Sequence, residues 1–190
     1  MTTGTSRLTL VTHAATNGTR GAHFPADEPV APGAEAHLRA LTRLRADRFR
    51  HAPDPASAAT CAALGGPGEA DPALRSWDAG AWAGRPLDVV AAEDPEGVAA
   101  WLADPAAAPH GGESLHDLLD RVRGVLAGVE GGHTVAVCGP AVVRAAVVLV
   151  LGAPATAFWR VDTGPLTGTD LRGGPDRWTV RATGAPQTRG

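Results

Sequence analysis

The sequence contains no lysine, isoleucine or tyrosine, and only two cysteines among its 190 residues. The missing types use AT-rich codons, while alanine, glycine, proline and arginine are abundant, so we expect a GC-rich, actinobacterial genome as the source. Two cysteines exclude a disulfide framework as the basis of the fold and suit a reducing cytosol. The net charge of -3 gives no electrostatic reason to expect a nucleic acid or an anionic membrane as a partner.

Long uninterrupted hydrophobic runs are also missing. The most apolar stretch, residues 135–155, is interrupted by Gly139, Pro140 and Arg144, so a strand, a turn and a core helix explain it better than a membrane span. The N-terminal segment MTTGTSR lacks the apolar centre of a secretory signal. We therefore expect one soluble, cytoplasmic domain over residues 1–190, long enough to bury a sizeable core.

Motifs for metals and cofactors are equally scarce. The histidines show no close pairing with each other or with cysteines at the spacing of metal ligands, and neither a Walker nor a dinucleotide fingerprint occurs. We expect neither a metal nor a cofactor. The expected partner is a small-molecule substrate, and a homodimer remains open.

Two segments of the chain have the form of a buried strand that ends at a polar site. Residues 7–17, RLTLVTHAATN, are β-favouring up to His13, which is followed by small residues. Residues 133–138 form a similar run, which Gly139-Pro140 separates from an apolar helix over 141–151. Ligands of open α/β sheets bind at the carboxyl ends of the strands, so two such ends side by side would frame one pocket that contains His13.

Periodicity predicts the remaining elements. Helices are expected at 33–47, 55–64, 87–93, 96–103 and 113–129, weak or late strands at 48–53, 160–172 and 177–182, and a loose tail at 184–190. Residues 70–109 are irregular and carry Trp77, Trp82 and Trp101. These tryptophans form either a wall of the binding site or the core of a small subdomain, and the core is favoured.

Three short motifs give the chain a resemblance to a known family. They are Thr12-His13-Ala14, Gly112-Glu113-Ser114 and Cys138-Gly139-Pro140. In this order they resemble the Arg-His-Gly, Gly-Glu-Ser and Ser-His-Gly segments of the histidine phosphatase superfamily, which has the phosphoglycerate-mutase-like fold. The similarity extends from Arg7 to about Ala182. It implies a three-layer α/β sandwich with a mostly parallel sheet, in which residues 70–109 form a small helical cap over the pocket.

The same resemblance implies that most of the family's catalytic residues are replaced. Thr12 and Ala56 stand where the family has phosphate-binding arginines, Gly139 where it has a second histidine, and Ser76 where it has the general acid. Only His13, at the position of the phosphorylated histidine, is kept. One arginine beside a transferring phosphoryl group contributes ~10³-fold or more in rate, so phosphoryl transfer in the family's manner is not expected.

Three side chains are candidates for chemistry at this site. His13, with fewer cations around it, acts as a general base near neutral pH, or it is only hydrogen-bonded at a strand end. Glu113 partners His13, or it is a carboxylate stabilised at a helix N-terminus. Cys138, at a strand end before a helix, is a nucleophile or, in the favoured alternative, a small buried residue.

The predicted catalytic residues are therefore His13 and Glu113. The predicted substrate-binding residues are Thr12, Asn17, Arg20, Ser76, His110, Cys138 and Gly139. Arg20 either supplies a cation or is a solvated loop residue, and His110 is either a replacement proton carrier or a loop histidine without a role.

The first hypothesis for function is a repurposed enzyme. A pocket without its cations would accept a non-phosphorylated small molecule, and His13 would catalyse a cyclisation, dehydration, isomerisation or hydrolysis in specialised-metabolite biosynthesis. The alternatives are a catalytically inactive pseudophosphatase that serves as a binding module, and a residual phosphomonoesterase.

Overall fold

The computed structural model describes residues 6–174 and 177–187. Their strands form one six-stranded sheet in the order β3-β2-β4-β1-β5-β6. The strands are β1 (Ser6–Thr12), β2 (Arg48–His51), β3 (Glu69–Ala70), β4 (Gly132–Cys138), β5 (Thr167–Gly174) and β6 (Arg177–Pro186). The first four are mutually parallel, and β5 is antiparallel to both of its neighbours. The predicted α/β fold with a mostly parallel sheet is confirmed.

The helices are α1 (Asn17–Arg20), α2 (Glu35–Arg39), α3 (Pro55–Leu64), α4 (Leu87–Glu93), α5 (Pro95–Ala103), α6 (Leu115–Ala127) and α7 (Pro140–Leu151). Most of them agree with the predicted ranges within two residues. The exceptions are α1, which is not predicted from the sequence, and the helix expected at 33–47, of which only α2 forms. Its second half is not helical because the N–H groups of Thr42 and Leu44 donate to the carbonyls of Gln187 and Leu64 instead of to the preceding turn.

The C-terminal strands also differ from the prediction. The strand expected over 160–172 begins only at Thr167, because Arg160 is the last residue of a 3-10 helix over 155–160. The strand β6 continues to Pro186, and the N–H of Gln187 donates to the carbonyl of Leu166. Residues 184–187 are therefore bonded into the fold instead of forming part of a loose tail, whereas 188–190 lie outside the described residues.

The sheet is covered by helices on both faces. Alternate residues of β1 point to opposite sides, so that Leu8 and Leu10 pack with α6 and α7 while Val11 packs with α3. A third, smaller cluster lies in the middle segment and contains Phe24, Ala79, Trp82, Val90 and Val98. Within the described ranges, no helix is long and apolar enough to cross a membrane.

The pairing of β1 with β4 positions the site. Thr12 is in register with Cys138, the last residue of β4. The backbone N–H of His13 then donates to the carbonyl of Cys138 at 3.1 Å, which extends the pairing by one step. His13 and Gly139 are thus the first residues beyond two neighbouring strand ends, as the sequence predicts.

Candidate active site

Two adjoining cavities open at the carboxyl ends of β1 and β4. The larger has a volume of about 550 Å³ and the smaller a volume of about 90 Å³. His13 lines both cavities, and so do Phe24 and Pro140. A side chain at their junction contacts a ligand in either cavity, and the titratable residues at this junction are His13 and His23.

The imidazole of His13 is held in one orientation. Its side chain is buried, and Nδ1 lies 2.8 Å from the carbonyl oxygen of Ala14. Because a carbonyl can only accept a hydrogen bond, Nδ1 carries the proton in this arrangement, and Nε2 of the neutral ring is left with its lone pair. Nothing among the described residues is hydrogen-bonded to Nε2, which is therefore the atom available for proton transfer or nucleophilic attack.

Ser76 and Gly139 lie beside His13 at the smaller cavity. A Cβ placed on Gly139 would lie 3.2 Å from Oγ of Ser76 and 3.8 Å from Nε2 of His13. The backbone of Gly139 has a φ of -70°, which every residue type adopts, so this position does not require glycine for its conformation. The absence of a side chain at 139 instead leaves space between the hydroxyl and the imidazole.

Carboxylates line the smaller cavity. Asp54 is buried, and its Oδ1 accepts the N–H of Ser57 at 2.8 Å as the N-cap of α3. Its Oδ2 is buried without a hydrogen-bond partner among the described residues. Glu28, on the same wall, accepts the N–H of Gly18 at 2.7 Å. Among the described residues that line this cavity none is an arginine or lysine, so its fixed charges are negative.

Part of the wall of the larger cavity consists of aromatic side chains. Phe24, Trp77, Trp101, Phe158 and Trp159 line it, and neighbouring rings contact each other at centroid distances such as 4.6 Å between Trp101 and Trp159. The predicted alternatives for the tryptophans are therefore both realised. Trp82 packs in the core of the middle segment, whereas Trp77 and Trp101 pack there or in the main core and also face the cavity.

One arginine lines the larger cavity. Arg144, in the second turn of α7, lies with its guanidinium carbon 5.9 Å from the ring centroid of Phe158. Its Nε is buried and has no hydrogen-bond partner among the described residues. Trp101 Nε1 and Thr163 Oγ1, on the wall of the same cavity, are also buried without a partner.

Thr12 and Cys138 adjoin His13 at the two strand ends, but their side chains make other contacts. The hydroxyl of Thr12 donates to the carbonyl of Gly164 at 2.7 Å and also lies 3.0 Å from the carbonyl of Thr167. Cys138 is fully buried and lines neither cavity; burial raises the pKa of its thiol far above the usual range, with a further increase from the charge of Asp54. A neutral, enclosed thiol does not fit the nucleophile considered for Cys138.

The carboxylate of Glu113 is hydrogen-bonded to arginines and not to His13. Its carboxylate accepts two hydrogen bonds from Arg121, at 2.7 and 2.8 Å, and one from Arg75 at 2.7 Å. Burial by itself would raise the pKa of Glu113, but the hydrogen bonds and charge of Arg121, together with the N–H of Asp78 and the charge of Arg75, outweigh it and lower the pKa. The ionised Glu113 thus joins the middle segment to α6, and its predicted role as a partner of His13 is not supported by these contacts.

Three other predicted site residues lie outside the two cavities. Nδ1 of His110 accepts the N–H of Gly112 at 3.0 Å, and its ring packs on Trp82. Burial lowers the pKa of His110, against a smaller opposing effect of Asp78. Asn17 is exposed at the start of α1, and the exposed Arg20 donates to the carbonyl of Pro32 at 3.0 Å. None of the three is among the residues that line the cavities around His13.

Sequence reasoning missed seven charged or polar residues of the site: Thr16, Thr19, His23, Glu28, Asp54, Arg144 and Thr163. Arg144 had a visible signal, since it is the single charge in a helix of otherwise apolar residues. Asp54 had a weaker one, because Asp before Pro is a common start of a helix and does not indicate a cavity. In the described part of the chain no group of three or more His, Cys, Asp or Glu side chains is arranged to hold a metal ion.

Comparison with known families agrees with this geometry. The sequence profile of the histidine phosphatase superfamily (branch 1) matches residues 33–186. The chain belongs to that superfamily. The match begins downstream of the segment that carries His13, and it includes Asp54, Ser76 and Gly139. No curated protein sequence matches this histidine phosphatase-like chain significantly.

Solved structures of other superfamily members share its fold. A mycobacterial glucosyl-3-phosphoglycerate phosphatase is 22% identical, with a TM-score of 0.80 over 95% of this chain and 99% of the other. The alpha-ribazole phosphatase from Shigella flexneri is 19% identical, with a TM-score of 0.81 over 97% and 100%. A mutant phosphoserine phosphatase from Entamoeba histolytica, in complex with phosphoserine, is 14% identical, with a TM-score of 0.83 over 94% and 96%. At these identities the likeness shows the fold of the histidine phosphatase superfamily.

Proposed function

We propose that this chain is an enzyme on the histidine phosphatase fold that acts on a non-phosphorylated small molecule by acid/base chemistry at His13. The observation that carries the proposal is the buried carboxylate of Asp54, which lines the smaller cavity together with His13. Like charges that share a cavity repel each other, because the surrounding protein screens them less than water does. A phosphoryl dianion at Nε2 of His13 would meet this repulsion without an arginine or lysine on the same cavity wall.

The same groups suit proton transfer. Nε2 of His13 has a free lone pair and takes a proton from an O–H or an activated C–H of the substrate. The imidazolium that results is stabilised by the negative charge of Asp54 and returns its proton to another atom of the substrate or to a leaving group. This cycle serves a cyclisation, dehydration, isomerisation or hydrolysis, and the large aromatic cavity suggests a substrate with an extended apolar body, as in specialised metabolism. The buried free thiols Cys61 and Cys138 support a reducing cytoplasm as the place of action.

The test compares the wild-type protein with His13→Gln and Asp54→Asn. We expect no release of phosphate from 4-nitrophenyl phosphate above the rate of His13→Gln, and no increase of the melting temperature with phosphate or vanadate. Asp54→Asn keeps the N-cap oxygen and removes the charge, so it is expected to strengthen phosphate binding. Turnover of any small molecule that the wild type converts should disappear in His13→Gln, and turnover that is unchanged in this variant would remove His13 from the mechanism; the absence of turnover in the wild type would favour a binding module.

A second candidate is a residual phosphomonoesterase. The hydrogen bond from Nδ1 to Ala14 fixes His13 with Nε2 towards the cavity, and this is also the arrangement that a phosphoryl-accepting histidine needs. The aryl phosphate assay separates the two functions. Phosphate release that depends on His13 would establish the phosphomonoesterase and refute the proposal above.

A further inference from the structure

The charge of Arg144 has no counter-ion among the described residues. It is the only charged residue of α7, and its guanidinium packs against the face of Phe158. Among the described residues it forms neither a salt bridge nor a side-chain hydrogen bond, and its Nε is buried. Buried polar atoms are almost always paired in folded proteins, so an unpaired guanidinium beside a cavity requires an explanation, and a bound anion supplies one.

Two further donors line the same cavity. Trp101 Nε1 and Thr163 Oγ1 are buried and unpaired, as Nε of Arg144 is. An indole N–H can only donate, a guanidinium can only donate, and a hydroxyl can do either. Trp101 Nε1 and Thr163 Oγ1 are themselves enclosed, so the donors on this wall that a ligand can reach are the Nη groups of Arg144, which are not among the buried atoms.

The rest of the cavity is suited to an apolar body. Besides the aromatic rings, Leu87 and Leu102 line it and are 40% and 47% exposed, so its rim is apolar as well. A volume of about 550 Å³ is in the range of sites for small organic molecules. Aromatic rings at several angles offer flat surfaces to a planar, unsaturated ligand.

The charges of the two cavities are separated. Arg144 lines only the larger cavity, whereas Asp54 and Glu28 line only the smaller one, with His13 between them. A ligand with one negative end is therefore oriented with that end at Arg144, and with its neutral, protic end at His13.

We propose that the ligand of this site is a planar apolar carboxylate, held by Arg144 through its carboxylate and by the aromatic wall through its body. This assignment rests on the proposed function, because it names the substrate class of the same site. A single guanidinium matches the two oxygens and single charge of a carboxylate in a bidentate pair. A phosphate dianion needs more than one cation, and Arg144 is the one arginine or lysine among the described residues that line either cavity.

The experiment measures binding rather than turnover, so it is independent of any catalysis. The probes are 2-naphthoate, its neutral analogue 2-naphthamide and 2-naphthyl phosphate, titrated by calorimetry and by quenching of tryptophan fluorescence. The variants are Arg144→Gln and, as a matched control, Arg123→Gln on the exposed side of α6. Circular dichroism and melting temperature check that each variant folds.

We expect 2-naphthoate to bind the wild type at least about 10-fold more tightly than 2-naphthamide, and Arg144→Gln to weaken naphthoate about 10- to 100-fold while leaving naphthamide unchanged. Arg123→Gln should keep the preference for the acid. Equal binding of acid and amide by the wild type, failure of naphthoate to bind at millimolar concentration, or tighter binding of naphthyl phosphate than of naphthoate would overturn the assignment. If Arg144→Gln does not fold, the order of the wild-type affinities for the three probes still tests the assignment of the ligand class. Hydrolysis of naphthyl phosphate that depends on His13 would refute the proposed function separately, through a different readout.

Discussion

The Nδ1 atom of His13 lies 2.8 Å from the carbonyl oxygen of Ala14, the residue that follows it in the chain. This contact fixes both the orientation of the imidazole and its tautomer. The nitrogen on the opposite side of the ring, Nε2, is consequently the atom that faces Ser76 and the space above Gly139.

The first prediction concerns this tautomer. In its neutral form His13 should carry its proton on Nδ1, because the carbonyl of Ala14 accepts it. Long-range ¹H–¹⁵N correlation spectra of the labelled protein report which nitrogen is protonated, and His13→Gln assigns the signal. A neutral ring protonated at Nε2 would contradict the hydrogen bond and, with it, the role of Nε2 as proton acceptor.

The second prediction concerns the two thiols. Burial raises the pKa of Cys61 to about 11, and raises that of Cys138 further. Because only thiolates react readily, iodoacetamide at a pH of about 8 should leave both residues unmodified in the folded protein and alkylate both after unfolding in guanidinium. Mass spectrometry of the intact protein and its peptides measures the extent at each residue. Rapid alkylation of Cys138 in the native state would restore it as a candidate nucleophile.

The third prediction is a dependence of stability on pH. The pKa of Glu113 is lower in the folded protein than its ordinary value of 4.5, so its ionisation stabilises the fold at every pH above that value. The contribution is complete near neutral pH and is lost as the pH falls below 4.5 and through the folded pKa. Glu113→Gln, which leaves the buried charge of Arg121 without its partner, should reduce the free energy of unfolding by about 3 kcal/mol near neutral pH.

This difference between wild type and Glu113→Gln should shrink when urea unfolding is repeated at successively lower pH, from 4.5 down to about 3. Asp120→Asn is the control, since the Asp120–Arg123 pair on the same helix is exposed and should change stability little. A difference that is the same at neutral and at acidic pH would mean that the Glu113 charge contributes nothing.

The fourth prediction compares two glycines. A Cβ on Gly112 would lie 2.2 Å from the carbonyl oxygen of Asp78, so Gly112→Ala must displace backbone and should reduce stability by about 2 kcal/mol. A Cβ on Gly124, inside α6, would have nothing within 4 Å, and Gly124→Ala should increase stability by about 0.5–1 kcal/mol. Chemical unfolding of both variants measures the two free energies, and a stable Gly112→Ala would show that the two backbones are not in close contact.

Local patterns in the sequence predict those helices and strands whose own residues carry a cap, a helical periodicity or an apolar run. The capping box of Ser114 and Asp117 and the spacing of leucines fix α6, and the apolar run before His13 fixes β1. The helix expected at 33–47 fails because Thr42 and Leu44 bond to distant parts of the chain, and no local pattern contains that information.

In the site, too, some residues are predicted from the sequence and others depend on the three-dimensional structure. His13, Ser76 and Gly139 come together because two strand ends and one loop meet; two of the motifs contain His13 and Gly139, and the family resemblance implies Ser76. The motif does not indicate the arginine contacts of Glu113, because Arg121 lies two turns further along α6, where an arginine is as easily explained by exposure to solvent. Asp54 and Arg144 become parts of the site only when the cavities are seen in three dimensions.

The hydroxyl of Thr12, bonded to Gly164 and Thr167, joins the end of β1 to the turn before β5. Replacing this threonine by arginine would remove both hydrogen bonds of the hydroxyl. A cation could therefore be placed at residue 12 only together with changes in the turn before β5, so the charge at this strand end and the structure of that turn are coupled.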